Sequence, residues 1–126
     1  MAVTAQPLYF TLPSAGSIST PNRWVTVDTA GRGTLVSAAT INILGALINK
    51  PTAQDQAMEI QFSGVAEIEA GAAIDETMAV YSNSQGFGLG FAAPGAGTAI
   101  GGICVKAASG SGAIAQVLLQ PFKTPA

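Results

Sequence analysis

Short runs in which apolar and polar residues alternate recur along most of the chain, separated by turn residues. In residues 56–62 the pattern is clearest: one face takes Met58, Ile60 and Phe62, and the other takes Glu59 and Gln61. Residues 65–69 repeat it, with Ala66 and Ile68 opposite Val65, Glu67 and Glu69. Side chains alternate between the two faces of a strand, so this pattern predicts antiparallel strands with one buried face and one wet face.

Stretches of this kind predict strands about every ten residues along the chain. They are Trp24–Val27, Thr34–Val36, Ile41–Ile48, Gln56–Phe62, Val65–Glu69, Thr77–Tyr81, Phe87–Phe91, Ile100–Lys106 and Ile114–Leu119. Glycine, asparagine, serine and proline fill the intervals and break any long helical period. The expected fold is all-β, a small antiparallel β-barrel or sandwich. Because the chain is rich in alanine, a helix of one or two turns around residues 74–78 is left open.

The N-terminal region differs from the rest of the chain. We assign residues 1–22 to an extended arm and residues 23–126 to a single β domain. Prolines at positions 7, 13 and 21 remove backbone donors and fix φ, which favours an extended chain. A disordered terminus is the alternative, but a disordered tail has little use for large apolar side chains. We therefore expect the arm to dock through its apolar residues, which are Leu8, Tyr9, Phe10 and Leu12.

The low content of charge narrows the range of functions. Charged residues make up 10% of the 126 residues, against about 25% in ordinary soluble domains, and the net charge is −2. An acidic chain with five basic residues lacks the patch that nucleic-acid binding requires. Histidine is absent and Cys104 is the one cysteine, which excludes histidine-based nucleophiles, imidazole metal sites and an intrachain disulfide. We expect no cofactor and no metal.

A membrane segment is not expected either. Residues 77–105 carry no charge over a length that would cross a bilayer as a helix. They include Pro94 and seven glycines, so they do not form a continuous apolar helix. The N-terminus lacks the basic and apolar regions of a signal peptide. Together with the single cysteine, this fits synthesis in a cytoplasm.

Carboxylates are concentrated in one stretch, since six of the seven acids lie between residues 55 and 76. Such a run is typical of the solvated face of a sheet, or of an acidic face that meets a basic patch on a neighbouring subunit. The candidates for an acid–base pair are Glu67, Glu69, Asp75 and Glu76. A glycosidase would also need aromatic platforms, and the chain has one Trp and two Tyr. We predict no enzymatic activity and no small-molecule substrate.

Two further features have structural interpretations. Residues 86–90 read G-x-G-x-G, not the G-x-G-x-x-G of a dinucleotide loop, and we interpret them as a strand whose glycine face admits a large neighbour. Cys104 lies between Ile103 and Val105 in an apolar strand, where we expect a buried thiol of low reactivity.

The low charge also has a consequence for the surface. With about a tenth of the residues ionised, the outer faces of the sheets must consist of Ala, Gly, Ser, Thr and short apolar groups. Surfaces of this kind associate, and open sheet edges accept further strands. The sequence therefore predicts a structural protein that covers its surface with copies of itself or with a fixed partner.

Short segments follow one another through the β domain, and all but the last contain glycine: Leu44–Leu47, Gly64–Ala66, Ala70–Gly71, Ser84–Gly86, Ile100–Gly102 and Val117–Pro121. Their order resembles the small head-decoration (capsid cement) proteins of tailed bacteriophages. The resemblance covers residues 22–122 and lies in the rhythm of these segments. One departure is Glu76-Thr77, where the family commonly has glycine before the strand.

The resemblance implies a homotrimer on the outer surface of the virion head that binds the major capsid protein and stabilises contacts between capsomers. Such a protein is not an enzyme and is made in the host cytoplasm. Its arm, residues 1–22, would lie on the shell, with Leu8, Tyr9, Phe10 and Leu12 as capsid-binding anchors. The alternative is a small β-barrel binding module of a phage head or tail fibre that recognises a glycan or a host surface. Exposed aromatic residues beside polar loops would favour it.

Overall fold

The first part of the chain forms one antiparallel sheet and the second part forms another. The computed structural model describes residues 7–91 and 95–125. The first sheet has the order β1-β5-β4-β2-β3 and consists of β1 (Leu8–Pro13), β2 (Trp24–Val27), β3 (Gly33–Leu35), β4 (Gly45–Leu47) and β5 (Ala57–Ser63). The second sheet has the order β6-β10-β9-β7-β8 and consists of β6 (Val65–Glu69), β7 (Ala79–Ser82), β8 (Gly88–Phe91), β9 (Ala99–Lys106) and β10 (Ile114–Lys123).

The two sheets pack together as a sandwich and neither closes into a barrel, which confirms the predicted all-β fold. The chain passes from β5 to β6 through Gly64, whose φ of +85° favours glycine. Isolated parallel bridges join Ser14 to Gly33 and Ala70 to Gly88, at the ends of the outermost strands of each sheet. Among the described residues, no helix has the length and hydropathy to cross a membrane.

The short helix that the sequence left open around residues 74–78 does not form. Ile74 instead forms an isolated bridge with Ala108, and residues 76–77 form a turn. Thr77 has a φ of +72°. This left-handed conformation is easy for glycine and unfavourable for a β-branched residue. Thr77 belongs to the pair Glu76-Thr77, at which the sequence departs from the pattern that it resembles.

Two strand predictions also need correction. The apolar stretch 41–48 forms only the short strand β4, and residues 41–44 before it are not in a strand. In β5 the predicted alternation holds for Met58 and Ile60 and then fails: Gln61 is 4% exposed, whereas Phe62 is 39% exposed. Gln61 pairs with Ala46, whose side of the sheet packs on the second sheet, so it is buried there. Phe62 lies at a β-bulge, where β1 pairs with Gln61 and Ser63 and skips it.

The inter-sheet core contains small and branched side chains around one tryptophan. Trp24 of β2 is fully buried, and its ring lies over Gly101 of β9, where a Cβ would overlap the ring atoms. The larger remaining members are Val36, Ile43, Ile68, Ile74, Val80, Val117 and Leu119. Glycine at position 101 is therefore required by packing, since it lets the indole lie against the backbone of the second sheet.

A second cluster, the outer core, lies on the opposite face of the first sheet. Its fully buried members are Val25, Leu47, Met58 and Ile60. Trp24 and Val25 are consecutive in β2, so they point to opposite faces and belong to different clusters. The first sheet is consequently apolar on both faces.

Residues 14–22, which we name the cover segment, cross this outer face. Ile18 packs against the outer core. The amides of Ile18 and Asn22 donate to the carbonyls of Pro51 and Leu47, each at 2.8 Å. The outer core is therefore closed by a segment of its own chain, one that the sequence had assigned to the arm.

Candidate interaction surface

The residues predicted to anchor the arm lie on β1, at an edge of the first sheet. Along its length β1 pairs with β5 of the same chain. Phe10 and Leu12 are half-buried and pack against the outer core, whereas Leu8 and Tyr9 are 48% and 54% exposed. Their capsid-binding role stays a prediction. Residues 1–6 of the predicted arm lie outside the described residues.

An apolar row crosses the outer face of the second sheet. It has one member from each strand, placed side by side by the strand register: Val65, Leu118, Ile103, Ala79 and Phe91. Their sequence neighbours Ala66, Val117, Cys104 and Val80 belong to the inter-sheet core, so the row faces away from it. Except for the small Ala79, its members are partly exposed. None of the five residues belongs to the inter-sheet core or to the outer core.

One end of the apolar row is aromatic. The rings of Tyr81 on β7 and Phe91 on β8 stack with centroids 4.0 Å apart and planes 6° from parallel. The two residues are diagonal neighbours across the strand pair, a position that long side chains bridge. Stacking buries one face of each ring and leaves an apolar end to the sheet.

A polar row lies beside the apolar row on the same face. The register places Glu67 of β6, Gln116 of β10 and Lys106 of β9 next to one another. A bulge at Val105 turns Lys106 outward, because the register of β9 against β10 shifts at that point. Glu67 and Lys106 are exposed. The row thus presents an acid, an amide and a base on three adjacent strands.

The four candidate carboxylates are spread along one end of the second sheet. Glu67 and Glu69 share the outward face of β6, as predicted, and Asp75 and Glu76 lie in the turn before β7. Glu76 accepts a hydrogen bond from the amide of Ala107 at 2.7 Å. In residues 7–91 and 95–125 no cluster of His, Cys, Asp and Glu is placed to hold a metal ion.

One ion pair is present on the first sheet. Arg32 Nε donates to Asp55 Oδ1 at 2.8 Å; the side chain of Asp55 is exposed and that of Arg32 is partly exposed. This hydrogen bond holds the pKa of Asp55 below its usual value. The pair therefore stabilises the ionised carboxylate at the surface, where solvent screens its contribution to folding.

Cys104 and the glycine run have the structural roles that the sequence predicts. Cys104 is 1% exposed, and burial raises the pKa of its thiol. A buried, protonated thiol is a poor nucleophile. A Cβ at Gly88 would lie 2.7 Å from Ile68, and one at Gly90 would lie 2.9 Å from Met78. The glycines therefore let side chains of neighbouring elements approach β8.

The clefts of the described structure are shallow. A cleft of about 300 Å³ is lined by Asn42, Ile43 and residues 121–123. Another, of about 270 Å³, lies where the cover segment passes β3. Lys123 is the one charged residue that lines either of them. Neither has the convergent polar groups typical of small-molecule sites.

The two rows were missed by the sequence analysis, although a signal for them was present. Apolar residues follow one another without alternation in residues 103–105 and 117–119. Continuous runs are typical of strands that are buried on both faces. The inter-sheet core buries only one face of β9 and β10, so the outward members of these runs indicate a second contact surface.

Comparison with known proteins identifies a shared fold. No protein-family model and no curated protein matches this sequence. Among solved structures, the fold is similar to that of the N base of the head fiber protein gp8.5 in bacteriophage phi29, with a TM-score of 0.67 at 11% sequence identity. The match covers 96% of this chain and 100% of that one. At this identity the likeness is one of fold, and it extends over nearly the whole chain.

Proposed function

We propose that this chain is a structural protein of a bacteriophage head. The observation that carries the proposal is the likeness of the whole fold to the base of a phage head fiber protein. The order of glycine-punctuated segments, which resembles the head-decoration proteins, supports the same assignment from the sequence. Both point to a β domain that belongs to the virion.

Within that role we propose capsid decoration. The chain acts as a homotrimer on the outer surface of the head, binds the major capsid protein and stabilises contacts between capsomers. The low charge supports this role, because 10% charged residues leave a surface better suited to contact with protein than with water. Trimerisation adds avidity, since three linked subunits hold the shell more tightly than one. The role needs no catalytic activity, cofactor, nucleic acid or membrane.

We propose that the edge of β1 contacts the shell. β1 is the outermost strand of its sheet, with β5 on one side. An exposed edge accepts a further strand by main-chain hydrogen bonds, while exposed side chains enter pockets of the partner. Leu8 and Tyr9 are the exposed members that would make these side-chain contacts.

Co-sedimentation with purified, expanded phage heads tests the proposal. We expect the wild-type protein to pellet with heads, and the double variant Leu8→Ser with Tyr9→Ser to bind at least tenfold more weakly. Val27→Ser is the matched control, because Val27 is 43% exposed on another strand of the same sheet. Wild-type protein that stays in the supernatant contradicts the capsid role. Undiminished binding by the double variant contradicts the β1 contact alone.

A second candidate is a fibre module that recognises a glycan or a host surface. It is favoured by the same comparison, because the similar structure is the base of a fibre, and by the stacked pair Tyr81 and Phe91. Binding to host cells in the absence of heads, lost in a Tyr81→Ala variant, would support it. Binding to heads alone supports decoration.

A further inference from the structure

We propose that copies of this chain meet through the outer face of the second sheet, and that a second copy of the chain occupies the apolar row. This inference deepens the proposed homotrimer and rests on it. Four strand spacings separate Val65 on β6 from Phe91 on β8, so the apolar row is about 19 Å wide. Contiguous apolar surface with a polar rim marks sites of protein contact, and here the polar row borders the apolar row on one side.

The outer faces of the two sheets differ in whether another part of the chain packs on them. On the first sheet, Ile18 of the cover segment packs on the outer core together with Phe10, Leu12 and Leu35, and Met58 and Ile60 are completely buried. The apolar row has no such layer in the described fold, although register and alternation give it an equally continuous apolar surface. Exposure of such a surface to water is unfavourable, and its burial against another apolar surface lowers the free energy.

Charge complementarity identifies the occupant as another copy. The polar row carries Glu67 at one end and Lys106 at the other, about 10 Å apart across two strand spacings. Neither residue forms an ion pair in the described part of the subunit, where the recorded pair is Arg32 with Asp55. Copies arranged head-to-tail around an axis, with the β6 edge of each lying on β9 of the next, bring Glu67 of one next to Lys106 of the next.

A head-to-tail contact closes into a ring when the rotation between copies fits. With three copies placed in this way, each acid meets one base, and the β6 end of each apolar row lies on the row of the next copy. The same order of charges disfavours nucleic acid and anionic lipid as occupants, because an acidic group lies at the edge of the surface. The face therefore fits a protein surface of its own pattern.

Sedimentation velocity without heads tests the inference. We expect wild-type protein to sediment as a trimer, and Leu118→Asp to shift it to monomer, because the new carboxylate lies within the apolar row, between Val65 and Ile103. Val27→Asp is the matched control: it adds the same charge at an exposed valine of the first sheet and should leave the trimer unchanged. Circular dichroism checks that both variants keep the β fold.

Exchanging the two charges of the polar row provides a second test, which measures association without changing the apolar row. Glu67→Lys places like charges together at the proposed contact and should weaken association about three- to tenfold at low salt. Lys106→Glu added to it restores opposite charges in reversed order and should recover the wild-type association constant. If the two effects simply add, the residues do not meet across the interface.

The outcomes separate this inference from the proposed function. A trimer that survives Leu118→Asp overturns the inference and leaves capsid decoration standing. A trimer that dissociates in Leu118→Asp, while wild-type protein ignores phage heads, upholds the inference and overturns the capsid role. A monomeric wild-type protein at high concentration overturns both the homotrimer and the contact surface.

Discussion

The outer faces of the two sheets are both apolar, yet one is covered by its own chain and the other is not. Connectivity explains the difference. On the first sheet the connection between β1 and β2 is long enough to cross the face and place Ile18 on the outer core. On the second sheet, residues 83–87 and 107–113 are short connections between adjacent strands, and the longer connection 70–78 turns inward, where Ile74 joins the inter-sheet core. A covered face stabilises the subunit, and an uncovered face is available to a partner.

The largest expected effect is on the covered face. Met58→Ala removes a fully buried side chain of the outer core and should lower the free energy of unfolding by about 2–5 kcal/mol. Leu118→Ala, on the uncovered face, should cost clearly less in the dissociated subunit, because its side chain is already partly solvated there. Urea titration at low protein concentration measures both. Equal losses would contradict the distinction between the two faces.

The cover segment itself is tested by Ile18→Ala. Ile18 is partly buried against the outer core, so we expect a loss of about 1–2 kcal/mol, less than for a fully buried residue. Ser17→Ala changes the exposed neighbour and should stay within about 0.5 kcal/mol of wild type. An Ile18→Ala variant as stable as Ser17→Ala would mean that the segment is held by its backbone hydrogen bonds alone.

A substitution in the turn before β7 tests the stability of the subunit without changing the apolar row. Thr77 has a φ of +72°, a conformation that costs a β-branched residue about 1–3 kcal/mol. Thr77→Gly relieves this cost and loses part of the gain to chain entropy, so the net gain in stability should be about 0.5–1 kcal/mol. Thermal unfolding measures it, and the sedimenting mass should not change. A lower melting temperature would show that contacts of the threonine side chain outweigh the backbone strain.

The smallest effect is expected at the ion pair of the first sheet. Asp55→Asn removes the partner of Arg32, but Asp55 is exposed and Arg32 is partly exposed, so stability at pH 7 should change little. The pKa of Asp55 is lowered by folding. Its contribution is therefore present above the ordinary value of 3.8 and is lost as the pH falls through the lowered value.

Wild-type protein and Asp55→Asn should accordingly converge in stability in acid. Thermal scans at several pH values check this. A large difference at pH 7 would show that electrostatics, more than the apolar cover, hold the first sheet together.

Local patterns predicted individual elements well where one strand face was buried. β6 has the predicted bounds, and Ala66 and Ile68 are its buried members. Prediction failed where contacts with distant strands decide the outcome: Gln61 is buried on the side of β5 that faces the second sheet, and a bridge to Ala108 replaces a helix at Ile74. Such features depend on strands far away in the sequence, so no local pattern carries them.

The sequence by itself determined that this protein is all-β, sparsely charged and free of histidine chemistry, because alternation and composition act locally. Only the tertiary structure decided which apolar residues are covered. Leu118 and Met58 look alike in sequence, each an apolar position within a strand. The cover segment lies over one and no described layer lies over the other. That difference arises from chain connectivity, which periodicity does not encode.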